Sequence, residues 1–389
     1  MNTAAGRLTV RIESPDPYSY DQPINVIDGS TLELVRTATC NDELSLPAGK
    51  YVVSATLPSG ERSVGVTEVA AGETSELTLA APPETATVEV EQDLESLGPM
   101  AEGGEAEATE WFVRFRFRSP SGQYKPYGPH VAVVSRAPAR VELAVSSGDG
   151  LLFAQVATVG EVPLTVALPV YGPTVSQRCQ LTIERTDPAS ATTVNVSLPD
   201  NPRIDAIARY LQSGRLQEAA SVIGDAEKLL QQKMADPFGA ALGGYALLRL
   251  GQLERPHHWP RNLADLFPWL PDGAVIAGEE SALEGDHETA IVQVCEAGRR
   301  GLPVFAAGLS LLSSRLREYA GASRDAFGEN GELVDEAGKL LEGVLGVMPF
   351  VDFDRVSLAF RGSELDSPAT SQTPLAGADS EDWRRVEDL

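Results

Sequence analysis

Near residue 200 the spacing of apolar residues switches from every second position to every third or fourth, and that switch constrains the fold more than any other feature. Upstream, Leu8, Val10 and Ile12 alternate with Arg7, Thr9, Arg11 and Glu13, the period of a half-buried strand. The alternation returns at Tyr51, Val53, Ala55 and Leu57, at Val64 and Val66, and at Leu77 and Leu79. Glycine-bearing turns at Pro47–Lys50, Pro58–Glu61 and Ala71–Glu73 separate these runs, as in hairpins. Residues 1–82 therefore read as an antiparallel β-sandwich.

Residues 86–199 read as a second antiparallel sandwich. Its expected strands are Thr87–Leu94, Glu110–Arg118, His130–Arg136, Arg140–Ser146, Leu151–Val156, Val162–Leu168, Arg178–Glu184 and Thr192–Leu198. Segment 95–110 reads as a mobile acidic loop, since Glu84 to Glu110 holds nine acids and no base. Downstream, Asp200-Asn201-Pro202 signals a helix start. Ile204, Ile207, Ala208 and Leu211 then share one face, and Leu216, Ala219, Ala220 and Ile223 another. Residues 200–350 are thus expected as a helical domain. Residues 351–362 are an extended segment packing back on it, with Asp352 and Asp354 solvated. Residues 363–389, rich in Ser, Pro and Asp, are expected as a disordered acidic tail in which only Trp383, Val386 and Leu389 could anchor a short helix. The predicted fold class is β then α in separate domains.

Two stretches resemble known families. The run LPAGKYVVSATLPSGERSVGVTEVAAGETSELTL, residues 46–79, looks like carboxypeptidase-regulatory-like or PEGA-type β-sandwich modules through Gly49, Tyr51, Gly60, Gly72, Leu77 and Leu79. That resemblance implies a non-catalytic spacer or binding unit. The helical half is similar to a degenerate array of tetratricopeptide repeats over residues 203–320. Ala208, Gly243 and Gly278 recur at a spacing of 35, and Leu242-Gly243-Gly244-Tyr245 resembles that family's signature with one residue too few. Ala290, Ala297 and Pro303 fit the third unit, whereas Pro256 and Pro260 break the second. The resemblance implies stacked helical hairpins that bind other proteins.

Charge narrows the function. Lys and Arg number 31 against 56 Asp and Glu, a formal charge of −25. Such a field repels nucleic-acid backbones and anionic membranes. The opening MNTAAGRLTVRIES has no basic or apolar signal region, and no window of about 18 apolar residues occurs. Three widely separated cysteines, Cys40, Cys179 and Cys295, read as reduced thiols, so a bacterial cytoplasmic protein is expected. Phosphate-loop, dinucleotide, nucleophile-elbow, zincin and EF-hand motifs are absent. The four histidines are His130, His257, His258 and His287, none near a cysteine pair. Cys295 follows Ile291, Val292 and Val294 on an apolar helix, and His287 lies eight residues away, about 12 Å along a helix. Cys295 thus reads as a core thiol. No catalytic residue, metal ligand or cofactor is expected.

Two features read as partner surfaces. In Trp111–Arg118 a period of two sends Trp111, Val113, Phe115 and Phe117 to one face and Arg114, Arg116 and Arg118 to the other. Those arginines would face Glu89, Glu91 and Asp93 in a cross-strand charge ladder, dock an acidic partner or the acidic 95–110 loop, or bind an anion or nucleic acid. Around Pro256–Pro271, His257, His258, Trp259, Arg261 and Trp269 form a proline-broken insertion whose rings would either plug the helical core or anchor an interface. The function expected is a non-enzymatic adaptor or regulatory subunit whose partners are proteins. One alternative is an inhibitor or proteolytic substrate in a bacterial protease or effector complex, regulated at 95–110 and 363–389. Another, of a different class, is an unrecognised enzyme or small-ligand binder near His257, His258 and Cys295.

Overall fold

A computed structural model of the 389-residue chain describes residues 5–13, 23–56, 62–80, 109–119, 122–146, 150–170, 179–185, 190–198, 226–253, 259–365, 372–377 and 382–389, together with residues 204, 207, 208 and 211. Strands precede helices, as the change of period requires. The first unit pairs two sheets. One is antiparallel: β3 (Leu34–Thr39), β2 (Pro23–Asp28), β5 (Gly49–Thr56), β6 (Arg62–Val69). The other is mixed: β4 (Glu43–Pro47), β1 (Ala5–Glu13), β7 (Thr74–Ala80), in which β1 and β7 run parallel. The alternating residues Leu8, Val10, Tyr51, Val53 and Leu79 meet in its core. Tyr51 sends its hydroxyl to the Pro47 carbonyl at 2.8 Å, tying β5 to the preceding turn.

The second β unit sets a four-stranded antiparallel sheet, β10 (His130–Ala137), β11 (Arg140–Ser146), β14 (Cys179–Glu184), β15 (Thr193–Ser197), against a longer one. The longer sheet runs β16 (Ala359–Arg361), β13 (Leu164–Leu168), β12 (Leu151–Ala157), β8 (Phe112–Arg118), β17 (Arg384–Arg385), with β9 (Tyr124–Tyr127) also on β8. The expected strand Thr87–Leu94 lies outside the described residues.

The longer sheet buries both of its faces. Leu152, Ala154, Val156, Val166 and Phe115 face the four-stranded sheet. Leu151, Phe153 and Ala167 join the helical core instead. Every residue of β12 and β13 is buried, as continuous apolar runs covered on two sides must be. The order β then α holds as expected, and sheet, sheet and helices form three packed layers because the longer sheet joins the helical core. The free edges are blunted. Strands β3 and β10 each carry a bulge whose extra residue, Val35 or Val134, points into solvent.

The helical layer contains α1 (Pro237–Arg249), α2 (Trp259–Leu266), α3 (Pro271–Leu283), α4 (His287–Arg300), α5 (Ala306–Ala320) and α6 (Leu333–Val347), after helical turns at 226–231. Asp236 caps α1 by accepting from Gly239 N, Asp286 caps α4 from Thr289 N, and prolines start α1 and α3. Helix α3 is apolar nearly all round and buried from Pro271 to Ala282. The glycines spaced by 35 do mark close helix approaches, but different ones. Gly243 meets the backbone of Ala226, which precedes it, and Gly278 meets Val294, which follows. Equivalent repeat positions would make equivalent contacts, so a regular tetratricopeptide array is corrected to an irregular helical layer.

The layers join at specific points. Arg118 on β8 donates to the Arg299 carbonyl at 2.8 Å, capping the C-terminal end of α4. There Gly301 has φ 110°, and a Cβ on it would lie 2.6 Å from Arg118 Nε. Gly301→Ala is therefore expected to destabilise the protein by about 2 kcal/mol, read as a lower midpoint in urea unfolding. A midpoint equal to wild type would mean that this join is loose. At the other end, Arg317 on α5 donates to the Val64 carbonyl (3.1 Å), and Gly321 lets Val66 approach.

Candidate functional site

The arginine strand is positioned as its alternation predicts, yet its arginines do not face open solvent. Arg114 Nε donates to Gln155 Oε1 at 2.6 Å, and its Nη2 donates to the Ser363 carbonyl at 3.2 Å. The guanidinium also stacks 4.5 Å from the centroid of Trp383. Burial, with Arg116 beside it, lowers the Arg114 pKa to about 10. Arg116 pairs with Asp382 at 3.0 Å, and Arg118 is spent on α4. The expected free docking face is thereby corrected, because these arginines line the side of β8 that turns toward the rest of the chain. The opposing carboxylate comes from the C-terminal segment. Glu89, Glu91 and Asp93 lie outside the described residues.

The expectation of a disordered tail is corrected as well. Residues 382–389 are ordered on the sheet, where β17 pairs antiparallel with Val113 and Phe112. Val386 is 2% exposed and Trp383 9%, the latter packed with Phe112, Ala157 and Leu375. Two buried aromatic and branched side chains outweigh the polar composition of the tail.

Trp259 and Trp269 are half-buried. Trp269 lies edge-on to Phe238 and Phe267, and the Lys233 ammonium sits 3.7 Å above Trp259. Arg261 is 3.3 Å from Glu280 and 2.5 Å from Glu284, both of α3 or its end. His257 and His258 lie outside the described residues. Three large apolar side chains at the adjoining helix ends are exposed: Met234 (65%), Leu266 (50%) and Leu283 (66%).

Sequence reasoning missed the polar groups sealed between helices. Asp272, in the first turn of α3, accepts from Tyr245 Oη (2.8 Å), Val304 N (2.8 Å) and Phe305 N (3.3 Å). Gly308 leaves space for this knot, since a Cβ there would lie 2.3 Å from Tyr245 Oη. Arg315 of α5 makes a two-pronged contact with Glu279 of α3 (2.6 and 2.8 Å) and a third with Glu318 (2.9 Å). The available signal was three acids within the otherwise apolar α3. The partners of Asp272 and Glu279 lie 27 to 36 residues away.

No described cysteine is placed for nucleophilic chemistry. Cys295 is fully buried, its Sγ lies 3.7 Å from the Leu333 carbonyl, and burial pushes its pKa up to about 12. His287 lies by Tyr319 instead, Nδ1 to Oη 3.4 Å. Among the described residues no group of three His, Cys, Asp or Glu converges as a metal site would. A cavity of about 150 Å³ between β15 and the helices is lined by Val166, Val194, Leu198, Leu242 and Arg355. Its guanidinium is committed to Asp352, Asn195 and the Val194 carbonyl. No helix among the described residues is long and apolar enough to cross a membrane.

Comparison with known proteins places the helical half. The family model of the Y4kD C-terminal domain matches residues 206–388. That span takes in the helical layer as well as β16 and β17, which complete a sheet begun upstream of it. Over 117 residues, 30% of its length, the chain is 34% identical to a probable protease from a Desulfuromonadales bacterium. It spans only 14% of that relative. A leucine-rich repeat protein from Bacteroides thetaiotaomicron aligns with 50% of this chain and 24% of its own at 12% identity, and its TM-score of 0.16 carries no argument.

Proposed function

We propose that the chain is a non-enzymatic adaptor or regulatory subunit that holds a partner protein against its helical layer, with α2 at the centre of the contact. The observation that carries this reading is the exposure of Met234, Leu266 and Leu283, each next in sequence to a residue that packs on or pairs within the stretch holding half-buried Trp259, Arg261 and Trp269. Met234 follows the lysine that sits on Trp259, and Leu283 precedes the glutamate that pairs with Arg261. Apolar residues flanking an aromatic anchor, with charged groups beside them, are the anatomy of a protein interface. Leu266→Glu/Leu283→Glu changes only exposed side chains, so its melting temperature should stay near that of wild type. In an affinity capture from native extract, this variant is expected to lose a stoichiometric partner by roughly tenfold or more. A folded variant that keeps the partner, or a wild-type chain that captures none, overturns the reading.

The likeness to a segment of a probable protease supports a second reading, in which the chain works within a proteolytic system as an inhibitor, a cleaved substrate or part of the enzyme itself. Proteolysis of unfolded casein by the purified chain, blocked by a thiol- or serine-directed reagent, would replace the adaptor by an enzyme.

A further inference from the structure

The way the C-terminal segment sits on β8 has the layout of a peptide complex. Strand β9 covers the outer edge of β8 from Phe115 to Arg118 and leaves Phe112 and Val113 to β17. Backbone bonds hold the segment regardless of its sequence. They include the ladder to β8 and the Val386 N–H to the Trp111 carbonyl at 2.9 Å. Arg136 adds a bond from its guanidinium to the Val386 carbonyl at 2.9 Å. Side chains supply selectivity. Trp383 fills a slot formed by Phe112, Ala157 and Leu375 beneath Arg114, Asp382 meets Arg116, and Val386 enters the sandwich core. Arg384 and Arg385 point outward. Short strand addition with pockets for particular side chains is an established mode of peptide recognition.

We propose that this groove is a recognition site for an extended partner peptide in which a carboxylate precedes a tryptophan and a branched aliphatic residue follows three positions later, and that residues 382–386 occupy it in cis as a competing ligand. The groove supplies the charge this chemistry needs: in a chain of net charge −25, Arg114 and Arg116 stand together at its mouth. The cis ligand has only two residues in the ladder, so a peptide of the same chemistry can replace it. The site is separate from the α2 face and does not rest on the adaptor reading.

The test uses the full-length chain and a fluorescent peptide of residues 378–389, followed by anisotropy. Trp383→Ala in the chain weakens the cis ligand, so the peptide should bind this variant saturably and roughly tenfold tighter than it binds wild type. Adding Arg116→Glu to the chain should lower that affinity roughly tenfold, and an Asp382→Lys peptide should recover it. If Trp383→Ala fails to unfold cooperatively, Asp382→Lys in the chain, which breaks only the pair to Arg116, takes its place. Absence of saturable binding to a folded variant overturns the proposal. So do equal affinities for wild type and variant, or indifference to Arg116→Glu. A concentration-dependent dimer that the peptide dissolves would make the occupant a second copy of this chain and overturn the assignment to another protein.

Discussion

Replacing Arg315 with methionine is expected to destabilise the protein by about 3–5 kcal/mol at neutral pH, which at about 2–4 °C per kcal/mol lowers the melting temperature by roughly 6–20 °C. The guanidinium is buried in the helical layer with side-chain exposure of 4%, against 5% for Glu279 and 0% for Glu318. Both carboxylates turn on that one cation, and together they hold its proton more tightly than an ordinary arginine would. Removing the cation leaves two like charges sealed beside each other with no water to screen them. Replacing all three residues by apolar ones of similar volume should recover much of the lost stability, because the desolvation of the ions disappears with them. Chemical denaturation of wild type, the single variant and the triple variant checks this. A single variant within about 0.5 kcal/mol of wild type would show that the triad is not sealed.

The same triad shows where sequence reading ends. The alternation of Trp111–Arg118 predicts two faces, and Trp111, Val113 and Phe115 do lie in the sandwich core with the arginines on the other side, whereas Phe117 is only half-buried against Tyr127. What covers those arginines could not be read locally, because Gln155, Arg299, Ser363, Asp382 and Trp383 hold them, the nearest 41 positions and the farthest 269 positions from Arg114. Residues 151–157, LLFAQVA, did contain the warning. A strand apolar at nearly every position is covered on both faces, and taking it as half of an isolated sandwich put the helices in a separate domain. The sequence around Trp383, Val386 and Leu389 predicts at most a short helix, since two residues of strand pairing leave no periodic signature. The irregular contacts of Gly243 and Gly278 likewise separate spacing from structure. A recurrence of small residues says that helices come close, but only the fold says which ones.

Asp272 carries the second large effect, and its sign is specific. The carboxyl joins α1, α3 and the start of α5, and burial raises its pKa from 3.8 to about 6 although three hydrogen bonds from Tyr245, Val304 and Phe305 pull the other way. Between these values the folded chain keeps a proton that the unfolded chain has released, so stability falls as pH rises. The contribution is fully present below about pH 4 and gone above about pH 6, a loss of about 3 kcal/mol at about 1.4 kcal/mol per pH unit. Asp272→Asn carries no titrating proton. At pH 4 the variant is less stable than wild type, because its amide would meet the Val304 N–H donor to donor. The stability gap between the two proteins should therefore narrow by about 3 kcal/mol from pH 4 to pH 7, measured by urea unfolding at fixed ionic strength. Had the hydrogen bonds outweighed desolvation, the carboxylate would be favoured in the folded state and the gap would widen over the same interval. A widening or constant gap would mean that water reaches this knot. A narrowing gap would make the junction of α1, α3 and α5 the part of the helical layer that tightens on mild acidification.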